Sequence, residues 1–248
     1  MHAKGARRFH FARDVEEALS LLAAYDGRGA LLAGGVDLLR SPQAVSEGLI
    51  DITRIGLSYV KEARGGLAIG ATTTLTGILQ SKAAREYAGG VLSDLLQRVA
   101  VPPLRNMATL GGALVSAHPW ADVPTALVAL GAEARWQGEK EGKAPVEELY
   151  RGSFRGLFRN AVATEILFPA WEGAFSVEKA SRTRYDIALL NACCGVRIEG
   201  GRIAWARVAV GARPERGERL PWAEDALGPI DILVNNAGVA TAGFIDAV

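Results

Sequence analysis

Two short stretches of the chain carry the residue types that can hold an anionic ligand. The first is Ala33-Gly34-Gly35-Val36-Asp37, which continues an apolar run. The second is Thr109-Leu110-Gly111-Gly112-Ala113, set inside residues 105–124 together with a lone carboxylate, Asp122. Both share a plan of strand, glycine pair, then helix. Glycine lets the backbone take positive φ and approach a ligand without a Cβ in the way. Consecutive N–H groups in such a turn, near the start of a helix, form a concavity that attracts anions. A pyrophosphate held between two such loops, as in a dinucleotide, would have its charge met mostly by backbone dipoles. A single glycine pair also closes a plain turn, and Gly65-Gly66, Gly89-Gly90 and Gly200-Gly201 read that way. His118, beside the second loop, reads as a loop hydrogen-bonding group and not as a catalytic base.

The elements that position these loops belong to a folded protein of ordinary composition. Of 248 residues, 49% are hydrophobic and 22% charged, too apolar for a disordered chain. A formal charge of +1 offers no field for nucleic acid or an anionic membrane. The basic cluster Lys4, Arg7 and Arg8 has no apolar segment after it, so no secretory signal is read. No apolar run approaches the roughly 20 residues that a membrane helix needs. Cys193 and Cys194 are the only cysteines, which excludes a four-thiolate zinc or iron–sulfur site within this chain. They read as buried structural thiols in a reducing compartment. The expectation is a soluble, cytoplasmic protein.

Along the chain, residues 9–12, 30–33 and 49–52 read as strands, with a helix over 14–25 opened by Asp14 and Glu17 as a capping box. This order implies a small parallel unit ending near residue 54. Residues 57–75 read as a hairpin turning at Arg64-Gly65-Gly66, followed by hydroxyl caps at 72–74 for a helix over 75–79. Apolar positions at helical spacing over 83–99 are interrupted by Gly89-Gly90. Val101-Pro102-Pro103 then predicts an extended lead-in to the second loop. A helix over 123–130, a strand at 132–136, a short helix at 145–152 and a strand at 164–169 complete a second unit. In the third, 187–196 and 203–210 form two strands joined at Gly200-Gly201, and 221–227 forms a helical turn or two. The fold class is α+β.

Four ordered matches carry a resemblance: LAGGVDLL, IGATTTLTGI, VPPLRNMATLGGALVSAHPWADVPTALVALGAE and KASRTRYDIALLNACCGVRIEGGRIAWARVAVG. Over about residues 9–221 the chain resembles the FAD-binding medium subunit of the molybdenum hydroxylases, the carbon monoxide and xanthine dehydrogenase type. The resemblance implies a PCMH-type FAD-binding fold of two subdomains, 1–54 and 55–169. An antiparallel-sheet C-terminal domain follows at 170–225, incomplete for the family. It implies FAD with its pyrophosphate against Ala33, Gly34, Gly35, Val36 and Asp37 and against Thr109, Leu110, Gly111, Gly112 and Ala113. Ala71 and Thr72 would line the same cleft, and Asp122 would contact the flavin's sugar-like chain. Lys179, with Arg182 and Asp186, would belong to the domain that covers the flavin. The implied activity is that of an FAD-dependent oxidoreductase subunit. It would pass electrons from a 2Fe–2S small subunit, in a complex with a molybdenum-cofactor large subunit, to an acceptor such as NAD or a quinone. Partner subunits would supply the metal centres.

Three positions depart from the family pattern. Val36 stands where a polar side chain is frequent, Ala113 where Asn is usual, and His118 where Ser is common. Each exchange removes or alters a side-chain hydrogen bond worth about 0.5–1.5 kcal/mol net. From about residue 226 the character changes: DILVNNAG resembles a strand and turn of short-chain dehydrogenases. Asn235 and Asn236 have no nucleotide-binding glycine loop before them and no Tyr–Lys pair after them. This implies a join near Ala226. The alternatives are an NAD(P)-dependent short-chain dehydrogenase fragment, or a non-catalytic truncated or chimeric flavoprotein. Strands 187–196 and 203–210, without helices over their apolar face, would make a third domain of marginal stability.

Overall fold

A computed structural model describes residues 8–40, 47–152, 154–212 and 217–227. The short-chain-dehydrogenase-like run lies almost wholly outside them. Three sheets follow one another along the chain. The first is parallel, in the order β1-β3-β2, built from β1 (Arg8–Phe11), β2 (Gly29–Leu32) and β3 (Gly48–Asp51). Helix α1 (Val15–Ala24) buries Ala18 and Leu22 against Ile50 and Ile52 of this unit. Asp14 caps α1 by accepting from the Glu17 N–H at 2.8 Å. The capping box is not reciprocal, because the Glu17 carboxylate takes the Arg13 N–H at 2.7 Å instead of that of Asp14.

The second sheet is antiparallel, in the order β4-β5-β8-β6-β7. Its strands are β4 (Val60–Ala63), β5 (Gly66–Gly70), β6 (Glu133–Gln137), β7 (Gly142–Pro145) and β8 (Val162–Phe168). Between β5 and β6 runs a helical layer: α2 (Leu75–Gln80), α3 (Lys82–Glu86), α4 (Val91–Arg98), α5 (Pro102–Arg105), α6 (Leu110–Ser116) and α7 (Asp122–Ala129). Helices α8 (Val146–Arg151) and α9 (Phe154–Leu157) lie between β7 and β8. The main core joins sheet and helices through Ile69, Leu75, Ile78, Leu96, Leu114, Leu127 and Ile166. Each such side chain contributes about 1.5–3 kcal/mol on burial. The parallel unit is fixed to this layer through Val162 at the start of β8, which joins the cluster of α1 and β3.

Two local expectations are corrected here. Val101 is extended, but Pro102 and Pro103 open α5 instead of extending the lead-in. Proline's fixed φ suits a first helical turn, where its missing N–H is not needed. No strand precedes the second glycine pair either. Thr109 makes one antiparallel bridge to Thr74, and Gly111 and Gly112 lie in the first turn of α6.

The third sheet, β12-β11-β10-β9, is antiparallel throughout. It comprises β9 (Ala174–Ala180), β10 (Leu190–Glu199), β11 (Arg202–Gly211) and β12 (Glu218–Arg219), followed by α10 (Pro221–Leu227). Strands β7, β9 and β12 were not legible; β9, for instance, is an edge strand that buries only Val177. The sheet is not bare. Val177, Cys193 and Ala209 enter the main core, so the face towards α7 is covered. The opposite face keeps a small cluster of Val196, Ile203 and Ala206, and exposes Ile198. Cys193 is buried but Cys194 only partly so, and burial raises both thiol pKa values.

Helix α10 is tied to β11 and β12 through Glu224, which is 8% exposed. Its carboxylate accepts from the Val208 N–H at 2.9 Å and from Arg219 Nε at 2.8 Å. Burial pushes this carboxyl up. The Arg219 guanidinium, the Val208 N–H and nearby Arg207 outweigh it and leave it below the ordinary glutamate value of 4.5. A folded-state pKa below the unfolded one stabilises the fold above the unfolded value, and that contribution is lost as pH falls through the folded one. Near neutral pH, Glu224→Gln is expected to be less stable than wild type by about 1.5 kcal/mol in urea unfolding. The difference should shrink steadily as pH falls below 4.5.

Candidate functional site

Three loops from separate parts of the sequence meet backbone to backbone. The loop after β2 holds Ala33 to Asp37; the segment after β5 holds Ala71 to Thr74; the third is the start of α6. A Cβ on Gly34 would sit 1.8 Å from the Met107 carbonyl oxygen, so only glycine permits this approach. A Cβ on Gly111 would meet Ala71 at 2.8 Å. The second and third loops are joined by a nearly symmetric set of hydrogen bonds. The Leu75 N–H donates to Ala108 O at 2.9 Å and the Leu110 N–H to Thr73 O at 3.0 Å. Thr74 caps α2 through the Gly77 N–H, and Thr109 caps α6 through the Gly112 N–H. The repeated Thr-Leu-x-Gly of 74–77 and 109–112 is thus a pair of N-caps facing each other across one β-bridge.

These bonds decide which N–H groups a ligand can use. In α6 the N–H of Leu110 goes to Thr73, that of Gly111 to Ala71 at 2.8 Å, that of Gly112 to the Thr109 hydroxyl, and that of Ala113 to Thr109 O at 2.9 Å. The N–H groups of Gly34, Gly35, Val36 and Asp37 meet no acceptor among the described residues. The donor-rich surface is therefore the first loop, and the start of α6 forms the wall it is pressed against. Thr72 Oγ1 is buried beside this junction with no hydrogen-bond partner among the described residues. His118 Nε2 lies 3.1 Å from Asp37 Oδ1 and the ring stacks on Trp120, which links the two loops from the outside.

A second cluster lies where α7 meets the third sheet. Asp122 is 8% exposed. Its Oδ2 pairs with Lys179 Nζ at 3.2 Å, and its Oδ1 accepts from Asn191 Nδ2 at 3.0 Å. Burial pushes the Asp122 carboxyl above its ordinary range, and Lys179 and Asn191 pull it back without cancelling that effect. Lys179 Nζ also donates to Arg98 O at 2.9 Å and Asp186 O at 3.2 Å. An ammonium has three protons, and here each has an acceptor within the protein. The carboxylate has about four lone-pair sites, of which two are used. Arg182 Nε pairs with Asp186 Oδ2 at 2.8 Å at the surface. Along the chain, α6, the turn at residues 117–121 and α7 connect this cluster to the second glycine pair. Asn191 and Thr125 were not anticipated as members. The available signal was a lone amide in the apolar run 187–196, and a threonine one turn after Asp122 on the same helix face.

A glycine loop whose N–H groups meet no acceptor among the described residues, pressed against a close backbone wall, suits a pyrophosphate-bearing cofactor. A family model described as the FAD binding domain in molybdopterin dehydrogenase matches residues 5–171. The chain belongs to this family. FAD is its cofactor, and the donor set described above fits the cofactor's phosphates. The chain is 30% identical to the carbon monoxide dehydrogenase medium chain of Hydrogenophaga pseudoflava, over 82% of this chain and 73% of that one. It is 31% identical to subunit alpha of the 6-hydroxypseudooxynicotine dehydrogenase complex of Paenarthrobacter nicotinovorans, over 93% and 80%. Among solved structures, quinoline 2-oxidoreductase from Pseudomonas putida 86 superposes with a TM-score of 0.86 at 25% identity, covering 94% of this chain and 82% of that one. Carbon monoxide dehydrogenase from Hydrogenophaga pseudoflava gives 0.85 at 28% identity, covering 92% and 82%.

Gly34→Ala should therefore part the two loops and weaken FAD at least tenfold, about 1.4 kcal/mol. Gly156→Ala, where a Cβ meets nothing within 4 Å, should leave FAD content unchanged. Flavin absorbance of the purified variants, normalised to protein, checks both.

Proposed function

We propose that this FAD-binding chain is the electron-transfer subunit of a multi-subunit molybdenum hydroxylase. In this reading it receives electrons from a 2Fe–2S small subunit, itself fed by a molybdenum-cofactor large subunit, and delivers them to NAD or a quinone in the cytoplasm. The observation that carries it is the apposition of the Gly34 loop, whose N–H groups meet no acceptor among the described residues, to Met107 just ahead of the Thr109 loop. Further support comes from the relatives: those named above are a medium chain and a subunit of a dehydrogenase complex. With two cysteines in all, the chain cannot itself ligate a four-thiolate cluster. No helix among the described residues is long and apolar enough to cross a membrane.

The residues divide the work. Gly34, Gly35, Val36 and Asp37 hold the pyrophosphate through backbone N–H groups. Ala71 and Thr72, with Thr109 to Ala113, form the opposite wall. Asp122 accepts from the sugar-like chain with its unused lone pairs. Lys179 acts through Asp122 and anchors the third sheet over the first two units. When bound, FAD would supply the redox chemistry that exchanges electrons between a one-electron donor and a two-electron acceptor. The protein contributes binding, orientation and a buried setting.

Mixing the flavin-loaded chain anaerobically with its reduced 2Fe–2S subunit tests this reading. Bleaching of the flavin absorbance, followed by its recovery on adding NAD or a quinone, is the expected result. A flavin that stays oxidised in a stable complex with that subunit contradicts it.

A further inference from the structure

The Thr125–Asn191 pair forms a polar chain that ends on Asp122 and that cofactor binding does not by itself require. Thr125 is 0% exposed and Asn191 1%. The Thr125 hydroxyl donates to Asn191 Oδ1 at 2.8 Å, and Asn191 Nδ2 donates to Asp122 Oδ1 at 3.0 Å. A carboxylate only accepts, so the amide nitrogen must face Asp122, and Oδ1 is left for the threonine proton. The direction of the chain is therefore fixed. Space for it is left by Gly211, which is paired across the sheet with Asn191. A Cβ there would lie 2.1 Å from Thr125 Oγ1 and 2.4 Å from Asn191 Oδ1.

Adhesion between α7 and β10 does not need these groups. Apolar side chains of the same volume would join the two elements without the cost of burying an amide and a hydroxyl. What the polar pair adds is direction. It supplies one donor to Oδ1 while Lys179, paired with Asn191 across β9 and β10, supplies one to Oδ2, so both carboxylate oxygens are held from the third sheet. The remaining lone pairs are then fixed in orientation.

We propose that Asn191, itself held by Thr125, is a positioning residue that orients the Asp122 carboxylate towards bound FAD. This rests on the reading of Asp122 as an acceptor for the cofactor's sugar-like chain. A positioning role predicts non-additivity, because Asn191 then acts on FAD only through Asp122.

The test is an FAD titration of the apo full chain for wild type, Asp122→Ala, Asn191→Leu, the double variant, Thr125→Val and Thr125→Ser. Asp122→Ala and Asn191→Leu should each weaken FAD about tenfold or more, which is about 1.4 kcal/mol. The double variant should bind no more weakly than Asp122→Ala alone. Thr125→Val keeps the shape and loses the donor, so it should weaken FAD by a smaller factor, and Thr125→Ser should restore it. Thr125→Val and Thr125→Ser carry the test if Asn191→Leu does not fold. Full FAD affinity in Asn191→Leu or Thr125→Val, or additive losses in the double variant, would overturn the positioning role and leave Asp122 as a contact. Unchanged affinity in Asp122→Ala would overturn the reading of Asp122 and this proposal together.

Discussion

The Met107 carbonyl occupies the space where a side chain on residue 34 would begin. Much of the site follows from that one contact. It requires glycine at 34, and it requires the chain to arrive at 107 from a fixed direction. The second condition is met by α5, which Pro102 and Pro103 start immediately after the extended Val101. The hydrogen bonds around the start of α6 set which donors remain for a ligand. With the N–H groups of Leu110 to Ala113 bonded to Thr73, Ala71 and Thr109, the run of four N–H groups at Gly34 to Asp37 that meet no acceptor among the described residues is the surface turned to an anion. The two glycine pairs look alike in sequence and have different roles: the first donates, and the second lets α6 pack against Ala71.

A second constraint joins the third sheet to this frame. Burying the Lys179 ammonium would be costly without partners, and it has three, drawn from α4, α7 and the segment after β9. The lysine therefore fixes the relation of β9 to the helical layer, and removing any one acceptor leaves a buried donor unmatched. Because one of those partners is Asp122, the same bond that docks the sheet also sets the environment of a candidate cofactor contact. In the proposed reading docking and binding share a group, which would link the integrity of the third sheet to retention of FAD.

Much of the fold was legible because local chemistry agreed with the outcome. Thr74 caps α2 as its position before an apolar run implied, and the hairpin turns at Arg64 and Gly65, both at positive φ. Gly89 and Gly90 break the helical run as expected, also at positive φ. The structure departs from the sequence pattern where a residue type has two uses. Pro102 and Pro103 read as stops but serve as a start, and Gly111-Gly112 reads as a loop but opens a helix. Covering of the third sheet could not be seen locally, since α7, which packs on Cys193 and Ala209, lies more than fifty residues earlier in the chain. At the site, sequence could nominate residues but not count hydrogen bonds. Only the geometry separates the free N–H groups of Gly34 to Asp37 from the occupied ones of α6, and the saturated Lys179 from the still-accepting Asp122.

In the proposed reading the loop after β2 supplies the backbone donors for FAD. Residue-resolved amide hydrogen exchange of the full chain, with and without FAD, tests it most directly. FAD is expected to slow exchange at Gly34, Gly35, Val36 and Asp37, while Leu110, Gly111 and Gly112 are slow in both states. Unchanged exchange at 34–37, with new protection confined to 110–113, would contradict it.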